Sequence, residues 1–211
     1  MLYFSGAIRK ELISKPEFGF MYTPRMGNRF IPGCRWMADT GLYTSGYFSL
    51  KKYLSWLDGR DRARCYGCTA PDRLADPQET LRLSLPVLPQ IRKLGYLAAF
   101  VLQDKATPDQ IPWDEFDVLF IGGTTRWKLS LKVQQICREA IQKQKRIHMG
   151  RVNSCCRFLY AFRLGCTSVD GTHIRFKPKE HIRQIEQWNH RLFSLIPVHW
   201  THSAFKRVMY K

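Results

Sequence analysis

The chain has 211 residues, of which 45% are hydrophobic and 13% aromatic, so the composition excludes a disordered polymer and favours one domain with a buried core. Its formal net charge of +17 is typical of a protein that binds a polyanion such as nucleic acid, although a highly soluble surface without a partner would carry the same charge. No apolar run reaches the roughly 18 residues of a membrane span, and Met1–Gly6 lacks the features of a signal peptide, so we expect a cytoplasmic protein.

The positive charge is concentrated in the second part of the chain. Residues 1–123 contain 16 basic and 13 acidic side chains, whereas residues 124–211 contain 18 basic and 4 acidic ones. We therefore expect the phosphates of a nucleic acid to contact mainly the second part.

The seven cysteines show no regular framework spacing, and their odd number suits a reducing compartment. Cys65 and Cys68 form a lone CxxC pair. A zinc site needs a second pair of ligands, and His199 with His202 is a poor candidate for it. We predict structural thiols and no metal or cofactor.

In the first half of the chain, short apolar segments typical of strands alternate with segments whose apolar residues have helical spacing. The strand-like segments are Tyr3–Ala7, Gly19–Thr23, Trp36–Ala38 and Arg64–Thr69. Apolar residues at helical spacing predict a helix from Tyr47 to Leu57. A second helix, from Pro77 to Lys93, begins after the N-cap Asp76. Pro86 and Pro89 must break or kink its later part.

The second half of the chain continues the same alternation. We predict strands at Tyr96–Leu102, Asp117–Ile121, Arg146–Met149 and Thr167–Val169. The intervening helices are expected at Leu129–Lys143, Asn153–Leu164 and Glu180–Leu195. Eight strands separated by helices predict a compact α/β fold, a (β/α)8 TIM barrel over residues 1–196, with a doubly wound open sheet as the alternative. Residues 197–211 form a basic, aromatic C-terminal tail.

Polar residues or glycines follow six of the predicted strands, and in a barrel they converge on one mouth. They are Asp39, Asp72, Gln103, Gly122 with Gly123, Gly150 and Asp170. Carboxylates in such a place suit glycosidic chemistry, in which one attacks an anomeric carbon and another transfers a proton. Paired glycines let a flat ring approach the backbone. Taken singly, Asp39 and Asp72 could be helix caps and Asp170 could begin a turn with Gly171.

This ordered set resembles the queuine tRNA-ribosyltransferase superfamily, the tRNA-guanine transglycosylases, and the small size points to its DNA-acting 7-deazaguanine branch (DpdA-like). The resemblance covers roughly residues 1–176. Asp39-Thr40-Gly41-Leu42-Tyr43 resembles the family's Asp-Ser-Gly-Gly-Phe segment, Gln103 resembles the amide of its Val-Gln-Gly segment, and Ile121-Gly122-Gly123 resembles its Ile-Gly-Gly turn. His148-Met149-Gly150 resembles its Leu-Met-Gly segment, and Asp170, five residues after Gly165, matches its nucleophile. The resemblance implies that Asp170 is the nucleophile and Asp39 the general base. The implied base-binding residues are Asp72, Gln103, Gly122, Gly123, Met149 and Gly150.

The implied reaction replaces guanine in DNA with a free 7-deazaguanine base, expected to be preQ0, through a covalent enzyme–DNA intermediate. By resemblance, the modification would protect phage DNA from restriction in the host cytoplasm, with or without a partner that opens the duplex. The candidate phosphate-binding residues are Arg126, Lys128, Arg151, Arg157 and Arg175.

Two departures from the family pattern affect this interpretation. No cysteine follows Cys166, so the family's zinc cluster is missing, and the added domains of the tRNA enzymes are absent. The alternatives are a tRNA-guanine exchanger that works with a partner subunit and a non-catalytic nucleic-acid-binding barrel.

Overall fold

Eight parallel strands form a closed barrel in which each strand pairs with the next and the last pairs with the first. The structure, a computed structural model, describes residues 1–25 and 30–193. The strands are β1 (Leu2–Ser5), β2 (Phe18–Tyr22), β3 (Arg35–Ala38), β4 (Cys65–Thr69), β5 (Ala98–Leu102), β6 (Val118–Ile121), β7 (Arg146–Met149) and β8 (Ser168–Gly171). The predicted (β/α)8 barrel is therefore confirmed, and the open sheet is excluded.

Helices form the outer layer and follow each strand from β3 onwards except β5, which a loop with one 3-10 turn, Pro108–Gln110, connects to β6. They are α1 (Leu42–Ser45), α2 (Leu50–Leu57), α3 (Pro77–Ser84), α4 (Leu88–Lys93), α5 (Thr125–Lys128), α6 (Leu131–Gln142), α7 (Cys155–Arg163) and α8 (Pro178–Phe193). Side-chain oxygens cap the first free amides of five of them, because Ser, Thr and Asp readily accept these bonds. The capping residues are Ser49, Asp76, Thr124, Ser130 and Ser154.

One long predicted helix is divided in the structure, and another is preceded by a short helix that was not predicted. The helix expected over residues 77–93 ends at Ser84 and resumes at Leu88, as the two prolines required. The helix expected from Leu129 is preceded by the short α5, and α6 begins only after Ser130. Ser130 accepts a hydrogen bond from the amide of Val133, so this serine starts a new helix instead of continuing the first.

Side chains from the strands fill two separate apolar clusters, because successive residues of a strand point to opposite faces. The inner cluster fills the barrel with residues such as Phe4, Met37, Val101 and Phe120. The larger outer cluster packs the other face of the strands against the helices. Residues at the carboxyl ends of the strands that share the inner face are therefore directed to the mouth of the barrel.

One strand boundary bears directly on the site. The sequence predicted that β8 ends at Val169, but the strand continues to Gly171, and Phe4 of β1 pairs with Asp170. Asp170 is thus part of the barrel wall, not the start of a turn after it. The predicted tail at 197–211 and the end of the predicted last helix lie outside the described residues.

No helix among residues 1–25 and 30–193 combines the length and the apolar composition that crossing a bilayer requires. Cys65 and Cys68 lie on β4 with their sulfur atoms 3.6 Å apart, and both are free thiols.

Candidate functional site

Asp170 lies at the mouth of the barrel with its side chain 20% exposed. Its carboxylate accepts hydrogen bonds from the backbone amide of Arg151, which lies 3.3 Å from Oδ1 and 3.4 Å from Oδ2. The Nε2 atom of His148 lies 3.2 Å from Oδ1. These contacts fix the orientation of the carboxylate while leaving part of it accessible from the mouth.

His148 is the site residue that the sequence reasoning missed. The ring is fully buried on the inner face of β7, where it packs against Phe120 with ring centroids 4.5 Å apart. Its Nδ1 lies 2.7 Å from the hydroxyl of Ser168, and its Nε2 faces Asp170. When the serine hydroxyl donates to Nδ1, the other ring nitrogen carries the proton and donates to the carboxylate. Two features of the sequence could have indicated this role of His148. One is a histidine in an otherwise apolar strand, and the other is the spacing of two residues between Ser168 and Asp170, which puts both on the same face of a strand.

The peptide unit between Gly150 and Arg151 contacts charged groups on both sides. The ammonium of Lys128 donates to the carbonyl of Gly150. Because the carbonyl and amide of a trans peptide point in opposite directions, the amide of Arg151 points the other way, to Asp170. The peptide dipole is therefore aligned between a cation and a carboxylate. A Cβ on Gly150 would lie 2.8 Å from the Phe120 ring and 3.2 Å from Asp170 Oδ1, so the turn requires glycine here.

Lys128 was predicted to bind phosphate, but the residue is only 5% exposed. Burial, and then the nearby positive charge of Arg151, lower the pKa of Lys128 to about 8, while the negative charge of Asp170 acts in the opposite direction. Lys128 belongs to the interior of the site because α5 is a single turn that directs this side chain inward, under the loop after β7.

Asp39 follows β3 and reaches the same end of the barrel. Its Oδ1 accepts a hydrogen bond from the amide of Gly41 at 2.6 Å. Part of the side chain remains accessible, yet protein surrounds it on most sides, and this burial raises the pKa of Asp39. The hydrogen bond from Gly41 opposes that shift, and the negative charge of Asp170 adds to it. The two predicted catalytic carboxylates are therefore near enough to interact electrostatically.

Asp72 and Gln103 form a hydrogen-bonded pair between the ends of β4 and β5. The amide nitrogen of Gln103 donates to Asp72 Oδ2 at 2.6 Å. Burial, and then the negative charge of Asp39, raise the pKa of Asp72 to about 6, against the lowering effect of the Gln103 hydrogen bond. The charge of Asp170 thus acts on Asp39, and the charge of Asp39 acts on Asp72.

Gly122 and Gly123 are needed for contacts within the protein. A Cβ on Gly122 would lie 2.8 Å from Val101 Cγ1, and one on Gly123 would lie 2.3 Å from Asp104 Oδ2. Gly123 also has a φ of 74°, which favours glycine. Asp104 accepts a hydrogen bond from the amide of Thr124 and so fixes the loop in which the two glycines lie. These close approaches account for both glycines without a bound base.

Met149 differs from the other predicted base-binding residues. Because His148 points into the barrel, Met149 points outward, and its side chain is buried in the outer apolar cluster. The side chain predicted to bind the base is thus directed to the helices, and only the backbone of Met149 lies near the mouth.

The remaining predicted phosphate-binding residues follow β6, β7 and β8, at the same end of the barrel as Asp170. Arg126 and Arg175 are exposed, and Arg157 is half-buried in the first turn of α7. Arg151 has a φ of 57°, and its guanidinium donates to the carbonyl of Gly123, so it links the loops after β6 and β7. Arg151 and Arg157 both lower the pKa of the buried Lys128, which places these three cations near one another.

The mouth therefore combines a carboxylate held by hydrogen bonds, a second carboxyl group with a raised pKa and a carboxyl–amide pair. Such a set can attack an electrophilic carbon, transfer a proton and bind the donor and acceptor edge of a heterocycle. The cations on the neighbouring loops can hold an anionic substrate.

No protein-family model matches the chain, and no curated protein matches it. Among solved structures, the Bacillus subtilis YkuI protein, which has an EAL domain and was determined with c-di-GMP and calcium, is 14% identical with a TM-score of 0.43. That similarity covers 77% of this chain and 45% of the other, so the chain spans less than half of the Bacillus protein. The YdjI aldolase of Escherichia coli K12 is 13% identical with a TM-score of 0.44, covering 81% of this chain and 73% of the aldolase.

Proposed function

We propose that the protein is a DNA-guanine transglycosylase, which exchanges guanine in DNA for a free 7-deazaguanine base such as preQ0. The observation that carries this proposal is the pair formed by Asp170 and Asp39. One carboxylate is oriented by His148 and a backbone amide, and the other, close by, has a raised pKa. Neighbouring carboxyl groups in different surroundings are suited to different roles in one reaction.

In the first step, Asp170 attacks C1′ of the target deoxyguanosine. A bond forms between the carboxylate oxygen and C1′, and the bond from C1′ to N9 of guanine breaks. Guanine leaves with the electron pair of that bond and needs a proton. The raised pKa of Asp39 supports its role as the donor, because a protonated carboxyl group is then available nearer to neutral pH.

In the second step, the incoming base displaces Asp170 from C1′. The carboxylate of Asp39 takes the proton from N9 of the 7-deazaguanine, and the bond from C1′ to Asp170 breaks. Two successive displacements at one carbon retain the β configuration of the nucleoside.

Asp72 and Gln103 are the side chains best suited to bind the base. Their mutual hydrogen bond leaves one carboxyl oxygen of Asp72 for the donor edge of a guanine-like ring. This pair supports recognition of the outgoing and incoming bases alike, because both rings present similar donors. The target base must leave the stack before it can enter the mouth, so the DNA is unpaired there. Arg126 and Arg175 are exposed and are our candidates for holding its phosphates.

The decisive experiment is the isolation of a covalent adduct. The full-length protein is incubated with a single-stranded oligodeoxynucleotide that contains one radiolabelled guanine, without any free base, and is then denatured. We expect released guanine and a stable protein–DNA adduct in equal amounts. Adding preQ0 before denaturation should discharge the adduct and place the new base in the DNA.

The two alternatives give different results in this assay. A tRNA exchanger would release guanine from tRNA, with its partner subunit present, and not from DNA. A non-catalytic barrel would bind the oligonucleotide without releasing guanine from either nucleic acid. Release without an adduct would contradict the role of Asp170 as a nucleophile.

A further inference from the structure

Two arginines lie at the mouth of the barrel, on the adjacent loops that follow β1 and β8. These strands pair in register, with Ser5 opposite Gly171. Arg9 and Arg175 each come four residues after their member of this pair. The guanidinium of Arg9 donates from Nη2 to the backbone carbonyl of Arg175 at 3.4 Å, so the two loops are in contact. Because Asp170 directly precedes Gly171 in β8, both arginines belong to the part of the mouth next to the proposed nucleophile.

Hydrogen bonds fix the first residues of both loops. On the β1 side, the hydroxyl of Ser5 accepts from the amide of Ala7 at 3.1 Å and donates to its carbonyl at 2.9 Å. On the β8 side, Oδ1 of Asn153 accepts from the amides of Thr172 and His173 at 2.8 and 3.1 Å. A ligand that binds between these loops therefore meets groups that are already in place, which lowers the entropic cost of binding.

The charges of Arg9 and Arg175 are not neutralised within the described part of the protein. Among residues 1–25 and 30–193, neither side chain forms an ion pair with a carboxylate. Arg9 makes little use of its N–H donors, because its bond to Arg175 is long and its Nε is buried without an acceptor among those residues. Two arginines on contacting loops with no carboxylate to pair with suit an oxyanion, since guanidinium groups form charge-assisted hydrogen bonds with phosphate oxygens.

We propose that Arg9 and Arg175 together bind one phosphate of the DNA, the one that is joined to the sugar of the target guanosine. The inference rests on the proposed function, in which C1′ of this sugar reaches Asp170, and it adds Arg9 to the residues that contact the substrate. The phosphates that flank the target sugar must come close to the mouth, because the sugar itself must do so. Holding one of them between two fixed loops would keep C1′ in position for attack by Asp170.

The test replaces single phosphates of the DNA with uncharged groups. Single-stranded oligodeoxynucleotides contain one guanine and one neutral methylphosphonate linkage, placed in turn at each position, and their equilibrium binding is measured. For the natural protein we expect one of the two linkages that flank the guanine to weaken binding by about tenfold or more when it is neutral, as for the loss of hydrogen bonds between charged groups. Neutral linkages far from the guanine should weaken binding less.

Substitutions of the two arginines identify the side chains that make this contact. Arg9→Gln and Arg175→Gln should each weaken binding of the unmodified oligonucleotide by about tenfold, and the further loss caused by the neutral flanking linkage should become smaller in both. Lys10→Gln changes the exposed neighbour of Arg9 and is the matched control, in which that further loss should stay complete. Arg175 is exposed, so its variant tests the contact even if Arg9→Gln disturbs the loop after β1.

Several outcomes would overturn the proposal. They are equal effects of the neutral linkage at all positions, a loss at the flanking linkage that both arginine variants keep in full, and a loss that Lys10→Gln reduces as much as Arg9→Gln does. A further arm compares inorganic phosphate with chloride at equal ionic strength. Equal effects at all positions, together with stronger competition by inorganic phosphate, would assign the arginines to a free anion.

Guanine release is measured on the same protein samples, so that the two proposals fail separately. Position-dependent binding without release would refute the proposed function alone. Release without position dependence would refute the phosphate contact of Arg9 and Arg175 alone.

Discussion

The two sides of the barrel mouth hold their carboxyl groups in different ways. On the β7–β8 side, Asp170 accepts hydrogen bonds from His148 and from the amide of Arg151, behind which lies the ammonium of Lys128. On the β3–β5 side, burial raises the pKa values of Asp39 and Asp72, and hydrogen bonds such as those from Gly41 to Asp39 and from Gln103 to Asp72 oppose this shift. The first arrangement fixes a carboxylate in place, and the second favours the protonated form.

This difference agrees with the proposed roles, in which the β7–β8 side supplies the nucleophile and the β3–β5 side supplies the group that carries the proton. A nucleophile benefits from a fixed orientation towards the reacting carbon. A proton carrier benefits from a pKa close to the working pH. Substitutions that affect one side only should therefore change different steps of the reaction.

The largest effect is expected from Asp170→Asn, which removes the proposed nucleophile while keeping a side chain of the same size. Guanine release should fall by at least about 10⁴-fold in single-turnover assays, and no covalent adduct should form. Oligonucleotide binding serves as the control and should change little. An adduct that persists in this variant would assign the nucleophile to another residue.

On the opposite side, Asp39→Asn should lower base exchange by about 10²-fold or more. The pKa of Asp39 is raised, so as the pH falls this carboxyl group becomes protonated at a higher pH than an ordinary aspartate does. Its proposed function as a base should be lost there. The pH profile of preQ0 incorporation should show this acidic limb in the natural protein and lack it in the variant. An identical limb in both proteins would exclude Asp39 as the group that titrates.

Asp72→Asn tests the β3–β5 side of the mouth through the stability of the folded protein. The carboxyl group has a pKa of about 6 in the folded state against 3.8 as its ordinary value, so the folded protein binds more protons between these values. Its stability therefore decreases as the pH rises through that window. At pH 7 to 8 the variant should be more stable by about 2 to 3 kcal/mol, measured by urea unfolding, while its asparagine oxygen still accepts from Gln103.

The exposed Asp109 provides the control for this measurement. Asp109→Asn should leave the pH dependence of the free energy of unfolding unchanged. If the two variants behaved alike, burial of Asp72 would not be the source of the effect.

The smallest effect is expected from Lys128→Met, which removes the cation behind the Gly150–Arg151 peptide. The rate of guanine release should fall by about tenfold, the cost of one hydrogen bond to a charged group. In the natural protein the rate should also decline above about pH 8, as the ammonium loses its proton. Four charged groups act on that ammonium electrostatically, namely Arg151, Asp170, Arg157 and Asp104.

Two further variants separate this role from a general loss of structure. Lys128→Arg keeps the charge at high pH, so the alkaline decline should disappear. Lys132→Met changes an exposed lysine on α6, and its rate of guanine release should depend on pH as in the natural protein. An alkaline decline that survives in Lys128→Met would show that another group titrates.

Much of the fold was predictable because each local signal agreed with the final structure. The apolar strands, the Asp76 cap and the two prolines that divide α3 from α4 act within a few residues of chain. The Leu129–Lys143 pattern predicted α6 to within two residues at its start. The single turn α5, which precedes it and carries the buried Lys128, was not predicted.

The candidate site was predictable only in part. The acids at strand ends were found because parallel strands bring their carboxyl ends together. His148 was missed, since only its pairing with Ser168 and Asp170 distinguishes it from a buried histidine of the core. Met149 was assigned to the base because the sequence does not reveal which face of β7 points inward.

The sequence by itself determined the alternation of strands and helices, the placement of Asp39, Asp72, Gln103 and Asp170 near strand ends, and the excess of positive charge. These follow from chain-local periodicity and composition. Only the tertiary structure decided that Asp170 lies within β8, that Lys128 is buried and that one peptide connects the two. The reason is physical: hydrogen bonds and burial depend on groups that are far apart in the chain, and closure of the barrel alone brings them together.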